Sequence, residues 1–177
     1  LVAEKAADLL PLAINDSLNQ LGNKMNFLIL GSGDAQVEEQ LTNLKNSFTG
    51  YYNSKIGYNE KLSHQMYAGA DFILMPSRVE PCGLNQMYAL RYGTIPIVRS
   101  IGGLKDTVID FGEPNGYGIR FNYASVWDIT YSVHRAVELY DDKEKLAEIR
   151  KQIMQIDNSW ETSCKKYINL YNAIRQI

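Results

Sequence analysis

The sequence has little of several features that define specialised classes of protein. Only two cysteines occur among its 177 residues, Cys82 and Cys164, too few for a disulfide framework and without the spacing of metal ligands. No apolar run approaches the roughly 20 residues of a membrane span. The 18 basic and 20 acidic residues nearly cancel, whereas a dedicated nucleic-acid-binding domain is usually strongly basic. We therefore expect a cytoplasmic domain that holds no metal and binds neither membranes nor nucleic acid.

The composition instead predicts a single globular domain. With 45% hydrophobic residues, a chain of this length can bury about 70% of the surface that it exposes when unfolded, which is enough for one core. The chain opens at Leu1 rather than at a methionine, in what looks like the approach to a helix. We therefore expect residues 1–177 to be one domain of a longer protein.

Short apolar runs alternate along the chain with segments of helical periodicity. The predicted strands are 27–30, 48–52, 72–75, 95–98 and 118–121. The predicted helices are 37–44, 59–70, 83–92, 102–109, 125–140, 142–156 and 159–174. Continuous apolar strands that alternate with helices are typical of α/β proteins, so we predict a doubly wound, Rossmann-like parallel sheet covered on both faces.

Ligands of such folds bind beyond the carboxyl ends of the strands, and loop 76–84 is the most informative of these ends. It places Glu80 beyond an apolar strand and Gly83 at the start of a helix, whose N–H groups suit phosphate or sugar oxygens. Between residues 77 and 105 there are four basic residues and one acidic residue, which favours an anionic ligand. The alternative is that Glu80 only caps the helix and that the basic residues face solvent.

Other candidates have a plainer explanation than catalysis. The run 31–33 reads Gly-Ser-Gly but lacks the rest of a dinucleotide fingerprint, so a tight turn explains it. Cys82 has no histidine near it in sequence, which favours an unreactive residue at a helix start. Tyr51, Tyr52 and Tyr58 fit either a core or, for one of them, stacking on a base.

Several long motifs then resemble one family. Residues 70–86 read ADFILMPSRVEPCGLNQ and residues 88–96 read YALRYGTIP; GGLKDTV at 102–108 and SWE at 159–161 continue the likeness. Together they resemble the bacterial glycogen synthase and plant starch synthase family over essentially the whole chain. The resemblance implies the C-terminal, nucleotide-sugar-binding half of a GT-B glycosyltransferase. It also implies retaining transfer of glucose from ADP-glucose to the non-reducing end of an α-1,4-glucan, with no cofactor.

The resemblance also implies roles for individual residues. Glu80 matches the active-site glutamate that contacts the transferred glucose, and Lys5 matches a lysine that binds the diphosphate. The remaining donor-binding positions are Gly57, Tyr58, Cys82, Gly83, Leu84 and Asn85. The backbone of residues 82–84 would bind the sugar hydroxyls and the diphosphate, and Tyr58 would stack on the nucleobase. Asn85 stands where bacterial members commonly have threonine, so an amide replaces a hydroxyl there.

Departures from the family pattern lead to further expectations. Tyr88 stands where other retaining glycosyltransferases, including those acting on lipids or small acceptors, usually carry a second glutamate, which favours the glycogen and starch branch. At the start, Ala6 replaces a glycine of the motif RLxxQKGxDLL, whose arginine would precede Leu1. We expect that arginine, the first strand of the sheet and the N-terminal acceptor domain to be absent from residues 1–177.

An absent first strand has structural consequences. We expect either that strands 27–31 and 72–76 pair directly or that a gap between them is covered by another molecule, with self-association as one result. We also expect the last helix to expose Tyr167, Leu170 and Tyr171. The domain should be inactive alone. A regulatory nucleotide-binding module and a different retaining glycosyltransferase are the alternatives, and UDP-glucose is the alternative donor.

Overall fold

Five parallel strands form two sheets in the computed structural model, which describes residues 1–175. The smaller sheet pairs β1 (Phe27–Gly31) with β2 (Tyr52–Ile56). The larger sheet has the order β3-β4-β5, whose ranges are Phe72–Met75, Ile95–Arg99 and Ile119–Phe121. Strands β1 and β3 do not pair with each other, so the expectation of direct pairing is wrong and the sheet is interrupted between them.

Eight α-helices connect and cover the strands in the described residues. They are α1 (Leu10–Leu21), α2 (Ala35–Ser47), α3 (Glu60–Gly69), α4 (Asn85–Tyr92), α5 (Gly102–Thr107), α6 (Val126–Asp141), α7 (Lys143–Met154) and α8 (Trp160–Arg175). Short 3₁₀ turns at Ala3–Lys5 and Ala7–Leu9 precede α1. Several helices begin at a residue whose side chain accepts from the first-turn N–H groups, as capping requires; these residues are Asp34, Asn59, Ser125 and Asp142.

The strand predicted at 48–52 is misplaced, since the observed strand is Tyr52–Ile56. Phe48 instead ends α2, because its N–H bonds the carbonyl of Leu44, and Gly50 then turns the chain with a φ of 87°. The strand itself is β2, which buries Tyr52 and Ser54 and exposes the polar residues between and after them. The sequence of β2 gave no apolar signal because only one of its faces is covered.

Two helices of the site are shorter than predicted. Helix α4 begins at Asn85 rather than at residue 83, since Gly83 adopts a φ of 75°, outside the helical region. Helix α5 ends at Thr107 rather than at residue 109, because the chain becomes extended at Val108. The later start of α4 leaves residues 80–84 in a loop. Glu80 is therefore not the first-turn capping acid that the plainer interpretation supposed.

The interior is divided between the two sheets. One hydrophobic cluster joins the smaller sheet to α1 and α2 and includes Leu10, Ile14 and Leu41. Other clusters cover both faces of the larger sheet with α4 to α7, and Ala13 of α1 joins one of them. Helix α1 thus packs on both sheets and holds the two halves together.

Helix α8 contributes nothing to these clusters. None of its described side chains is buried, and Tyr167, Leu170 and Tyr171 are exposed as expected. In residues 1–175, no helix combines the length and the apolar character needed to cross a membrane.

Candidate functional site

Glu80 and Lys5, 75 positions apart in the chain, meet at the carboxyl end of the larger sheet. The Nζ atom of Lys5 lies 2.5 Å from Oε2 of Glu80, and the hydroxyl of Ser77 donates to the same oxygen at 3.2 Å. The Glu80 side chain is only 10% exposed, whereas that of Lys5 is half exposed. A buried carboxylate held by two donors has one orientation, while the lysine retains access to a ligand from solvent.

The N-terminal segment reaches this position by running across the gap between the sheets. At its start, the carbonyl of Leu1 accepts from the N–H of Asp34, beyond β1. A few residues on, the carbonyl of Glu4 accepts from the N–H groups of Arg78 and Val79, beyond β3. Residues 1–8 therefore join the carboxyl ends of both sheets, and they deliver Lys5 to Glu80.

A bidentate ion pair fixes the same segment. The two terminal nitrogens of Arg78 lie 2.5 and 2.8 Å from the carboxylate oxygens of Asp8. The hydrogen bonds from the guanidinium of Arg78 keep the pKa of Asp8 below its ordinary value. This planar two-bond arrangement holds Asp8 in a defined position.

The start of α5 packs directly on the loop that carries Glu80. The N–H of Gly103 donates to the carbonyl of Glu80 at 3.1 Å. A Cβ atom at Gly103 would lie 1.9 Å from the carbonyl oxygen of Cys82, so only glycine fits there without a shift of backbone. This close contact with the start of α5 fixes the position of residues 80–82.

Gln86 holds the other end of the loop. Its side chain is fully buried, and its amide nitrogen lies 3.1 Å from the Cys82 carbonyl, 2.9 Å from that of Gly83 and 3.0 Å from the Thr107 hydroxyl. No hydrogen bond within residues 1–175 occupies the backbone N–H groups of residues 82–84. These amides precede the N-terminus of α4, where anionic or hydroxyl oxygens are favoured.

Three of the basic residues around this loop make contacts within the protein. Arg78 pairs with Asp8, and Arg99 donates to the carbonyls of Arg78 and Asn122. Arg91 donates to the carbonyl of Met154 on the surface. These contacts brace loops, so the positive charge has a structural role as well as an electrostatic one.

Gly57 and Tyr58 lie at the carboxyl end of β2, on the smaller sheet. Gly57 has a φ of 124° and donates to the carbonyl of Gly31 at 3.0 Å. Tyr58 is 86% exposed, while Tyr52 is buried in the core. Within residues 1–175 no hydrogen bond joins Gly57 or Tyr58 to loop 76–84. The structure thus brings Lys5, Glu80 and residues 82–85 together, and it leaves the tyrosine on a separate element.

Sequence reasoning missed four residues that build the site: Asp8, Ser77, Gln86 and Thr107. Three of them act through other residues of the chain, as a pairing partner for an arginine or as contacts to the loop, and Ser77 donates directly to Glu80. Gln86 alone left a signal, since a glutamine one position into a helix beside buried residues is unusual. In the part of the chain that the structure describes, no three His, Cys, Asp or Glu side chains cluster in a way that could hold a metal ion.

Comparison with known proteins supports the resemblance found in the motifs. A family model described as glycosyl transferases group 1 matches residues 1–153. The glycogen synthase of Flavobacterium johnsoniae is 58% identical over 99% of this chain, and that of Bacillus cereus is 40% identical over the same share. The solved catalytic domain of starch synthase IV from Arabidopsis thaliana, bound to ADP and acarbose, superimposes with a TM-score of 0.86 at 36% identity and covers 98% of this chain.

The matched region is only part of each relative. The chain spans 37% of the length of either glycogen synthase and 36% of the starch synthase structure. The predicted resemblance to glycogen and starch synthases is confirmed, as is the α/β fold class of a GT-B glycosyltransferase domain.

Proposed function

The chain belongs to the group 1 glycosyl transferases, and from this premise we propose that it is the donor-binding half of a glycogen synthase. The intact enzyme would transfer glucose from ADP-glucose to the non-reducing end of an α-1,4-glucan with retention at the anomeric carbon. Residues 1–177 would form its C-terminal, nucleotide-sugar-binding domain, and a separate N-terminal domain would hold the acceptor. Identity of 58% to a glycogen synthase and the ADP bound by the related starch synthase support this donor.

The meeting of Lys5 and Glu80 beside free backbone amides carries the proposal. A nucleoside-diphosphate sugar presents a doubly charged diphosphate next to an uncharged ring of hydroxyls. The site offers the half-exposed ammonium of Lys5 and unoccupied N–H groups for the diphosphate, and the held carboxylate of Glu80 for the hydroxyls. The cationic and carboxylate groups of the site lie next to each other, as the diphosphate and the sugar do in the donor.

The proposed mechanism uses charge rather than a protein nucleophile. As the bond from the anomeric carbon to the diphosphate breaks, negative charge grows on the leaving oxygen, and Lys5 with the amides of 82–85 stabilises it. The oxygen of the incoming hydroxyl bonds the anomeric carbon on the same face of the sugar, and its proton passes to the departing diphosphate. Glu80, held by Ser77 and Lys5, orients the glucose and faces the positive charge that develops on its ring.

The nucleobase would stack on Tyr58. An exposed ring beyond a glycine with a φ of 124° presents its face to solvent, and stacking on a base contributes about 1–3 kcal/mol. Since adenine and uracil can both stack on this ring, ADP-glucose is proposed from the relatives and UDP-glucose is the competing donor.

Calorimetric titration tests the proposal on this chain. ADP is expected to bind at millimolar concentration or tighter and to be preferred over UDP. Lys5→Ala should weaken ADP binding by at least about tenfold, because a charged hydrogen bond contributes roughly 1.5–3 kcal/mol. Glu80→Gln should weaken ADP-glucose while leaving ADP unchanged. Lys151→Ala, which removes an exposed lysine of α7, is the control for net charge. Equal ADP affinity in the Lys5 and Lys151 variants would contradict the assigned site.

Activity tests then separate the competing functions. A parent-length enzyme that binds ADP but transfers no glucose to glycogen would be a regulatory nucleotide-binding module. One that glucosylates a lipid or a small acceptor instead would be a different retaining glycosyltransferase. A cytoplasmic location and inactivity of the isolated chain are proposed together with this function. Self-association through the unpaired edges of β1 and β3 is proposed as well, and sedimentation over a range of concentrations tests it.

A further inference from the structure

Three exposed aromatic residues mark a surface that the proposed donor site does not use. Tyr123 precedes α6, and Trp127 and Tyr131 lie one turn apart in the first half of that helix. Trp127 is 70% exposed and Tyr131 is 54% exposed. Their rings are nearly parallel, with 6° between the planes and 5.3 Å between the centroids. We call these three residues the aromatic platform.

The exposure of the platform does not come from a loosely packed helix. The opposite face of α6 is buried in the core through Ile129, Val133 and Ala136. The start of the helix is also fixed, because the hydroxyl of Ser125 accepts from the N–H of Asp128. The two rings therefore stand on a helix whose backbone is fixed by packing, which lowers the entropic cost of binding.

The chemistry of the platform indicates a neutral ligand with alternating apolar and polar surfaces. Residues 121–133 contain no lysine or arginine, and Asp128 is their only charged residue. Phosphate-bearing polymers are bound through basic side chains, so they do not match. Between residues 121 and 141, every large hydrophobic side chain that is exposed belongs to a tyrosine or tryptophan, each of which combines an apolar face with a polar group at its edge.

A pyranose ring has the complementary pattern, since its C–H bonds form an apolar face and its hydroxyls a polar rim. Helix α8 differs, because its exposed face includes the aliphatic side chains Ile168, Leu170 and Ile174, a mixture suited to protein packing. The comparison within one chain thus favours a sugar polymer on α6.

The platform lies at the same edge of the larger sheet as the donor site. Tyr123 follows β5 by two residues, and Trp127 occupies the first turn of the next helix. Arg99 connects the two regions, because it donates to the carbonyl of Asn122 on one side and to that of Arg78 on the other. A polymer bound at the platform would remain close to the loop that carries Glu80.

We propose that Tyr123, Trp127 and Tyr131 form a surface site for an α-1,4-linked glucan, separate from the site of transfer. The choice of this polymer rests on the proposed function. Binding at a second point on the same chain raises the local concentration of acceptor ends, and the site would thus retain the enzyme on its polymeric substrate.

Tryptophan fluorescence tests the site directly. The chain has two tryptophans, Trp127 and Trp160, so Trp160→Phe leaves the platform as the only tryptophan emitter. Adding maltoheptaose to this variant should change the emission saturably, and cellohexaose, with β linkages, should not. A linear response to maltoheptaose, or the same response to both sugars, would overturn the proposal.

Native electrophoresis in gels containing glycogen provides the matched comparison. Trp127→Ala should weaken retention at least fivefold and Tyr131→Ala about threefold. Tyr140→Ala, at the far end of the same helix, should change it less than twofold. Equal retention of the wild-type and Trp127→Ala proteins would overturn the proposal. So would a dimer in sedimentation that Trp127→Ala abolishes, since the platform would then bind a second copy.

The test also separates this site from the proposed function. Glu80→Gln should leave retention in glycogen gels unchanged, because the platform does not include Glu80. If maltoheptaose binds at Trp127 while ADP and ADP-glucose do not bind the chain, the proposed donor function fails and the platform stands. If the nucleotides bind and maltoheptaose does not, the platform alone fails.

Discussion

Strands β1 and β4 have the same length and both are apolar, yet they are buried very differently. All but the last residue of β4 are buried, because α4, α5 and α7 cover its two faces and β3 and β5 lie on either side. In β1 none of the five residues is buried, and Leu28 is 63% exposed. Burial therefore depends on the neighbours that a strand receives and not on its own hydrophobicity.

The two halves of the site differ in burial in the same way as the sheets that carry them. Glu80 and residues 82–85 follow the larger sheet and are braced by Gly103 and Gln86. Tyr58 follows the smaller sheet, whose outer face is open. Under the proposed function, the reacting sugar would lie on the closely packed half, which suits the fixed geometry that a reaction needs. The nucleobase would lie on the more open half.

Truncating one apolar side chain in each sheet tests the difference most directly. Ile95→Ala in β4 should lower the free energy of unfolding by about 3 kcal/mol, because it opens a cavity in a closed core. Leu28→Ala in β1 should lower it by less than about 0.5 kcal/mol, as for other surface positions. Urea unfolding of both variants measures the two values. Similar losses would mean that the smaller sheet is packed as tightly as the larger one.

Substitution of a glycine tests how firmly loop 76–84 is tied to the larger sheet. Gly103→Ala places a methyl group against the Cys82 carbonyl and should cost about 2 kcal/mol, as overpacking does. It should also weaken ADP-glucose binding, because residues 80–82 must move. Gly69→Ala is the matched control, since a Cβ there meets nothing within 4 Å. If both substitutions change the free energy of unfolding equally, the contact between α5 and the loop does not hold the loop in place.

These regions also show where sequence reasoning succeeds. Strand β3 was predicted to the residue, because Phe72–Met75 is apolar throughout and ends at a proline. The start of α6 was predicted to within one residue, and Ser125 caps the helix there. Strand β2 was misplaced, since a strand covered on one face carries half the apolar signal. Short-range patterns thus located most elements.

The site was predictable only in part for a related reason. Glu80 and residues 82–85 could be found from a motif, but their supports could not. Asp8 reaches Arg78 across 70 positions, and Gly103 approaches Cys82 from the start of α5. Such long-range contacts form only when the helices and strands assemble, and a local sequence pattern does not encode that assembly. The interruption of the sheet between β1 and β3 is likewise a property of assembly.

The segment that joins the two sheets contains a strained residue whose replacement should stabilise the fold. Ala6 is fully buried with a φ of 52°, a left-handed conformation that costs a residue other than glycine about 1–2 kcal/mol. Ala6→Gly removes that strain but raises the conformational entropy of the unfolded chain. We therefore expect the free energy of unfolding to increase by about 0.5 kcal/mol. The neighbouring Ala7→Gly, without positive φ, should instead lose about 0.5–1 kcal/mol. Equal effects in thermal unfolding would show that the strain is relieved in another way.

Removing the ion pair between Asp8 and Arg78 should have the smallest effect on the free energy of unfolding. The dependence of that effect on pH distinguishes the ion pair from other contacts. Hydrogen bonds from Arg78 hold the pKa of Asp8 below its ordinary value. A lowered folded-state pKa means that the pair stabilises the fold above the ordinary aspartate pKa, and that this stabilisation disappears as the pH falls through the lowered value.

Because both side chains are more than a third exposed, Asp8→Asn should cost only about 0.5 kcal/mol at pH 7. At pH 3 the gap between the variant and the wild type should narrow, since this pH lies below the ordinary aspartate pKa, where the stabilisation by the pair has begun to fall. Urea unfolding at both pH values measures the gap, and Glu161→Gln, which breaks the exposed pair with Lys165, is the control without an expected change. A gap that widens at pH 3 would mean that Asp8 supports the segment between the sheets by packing rather than by its charge.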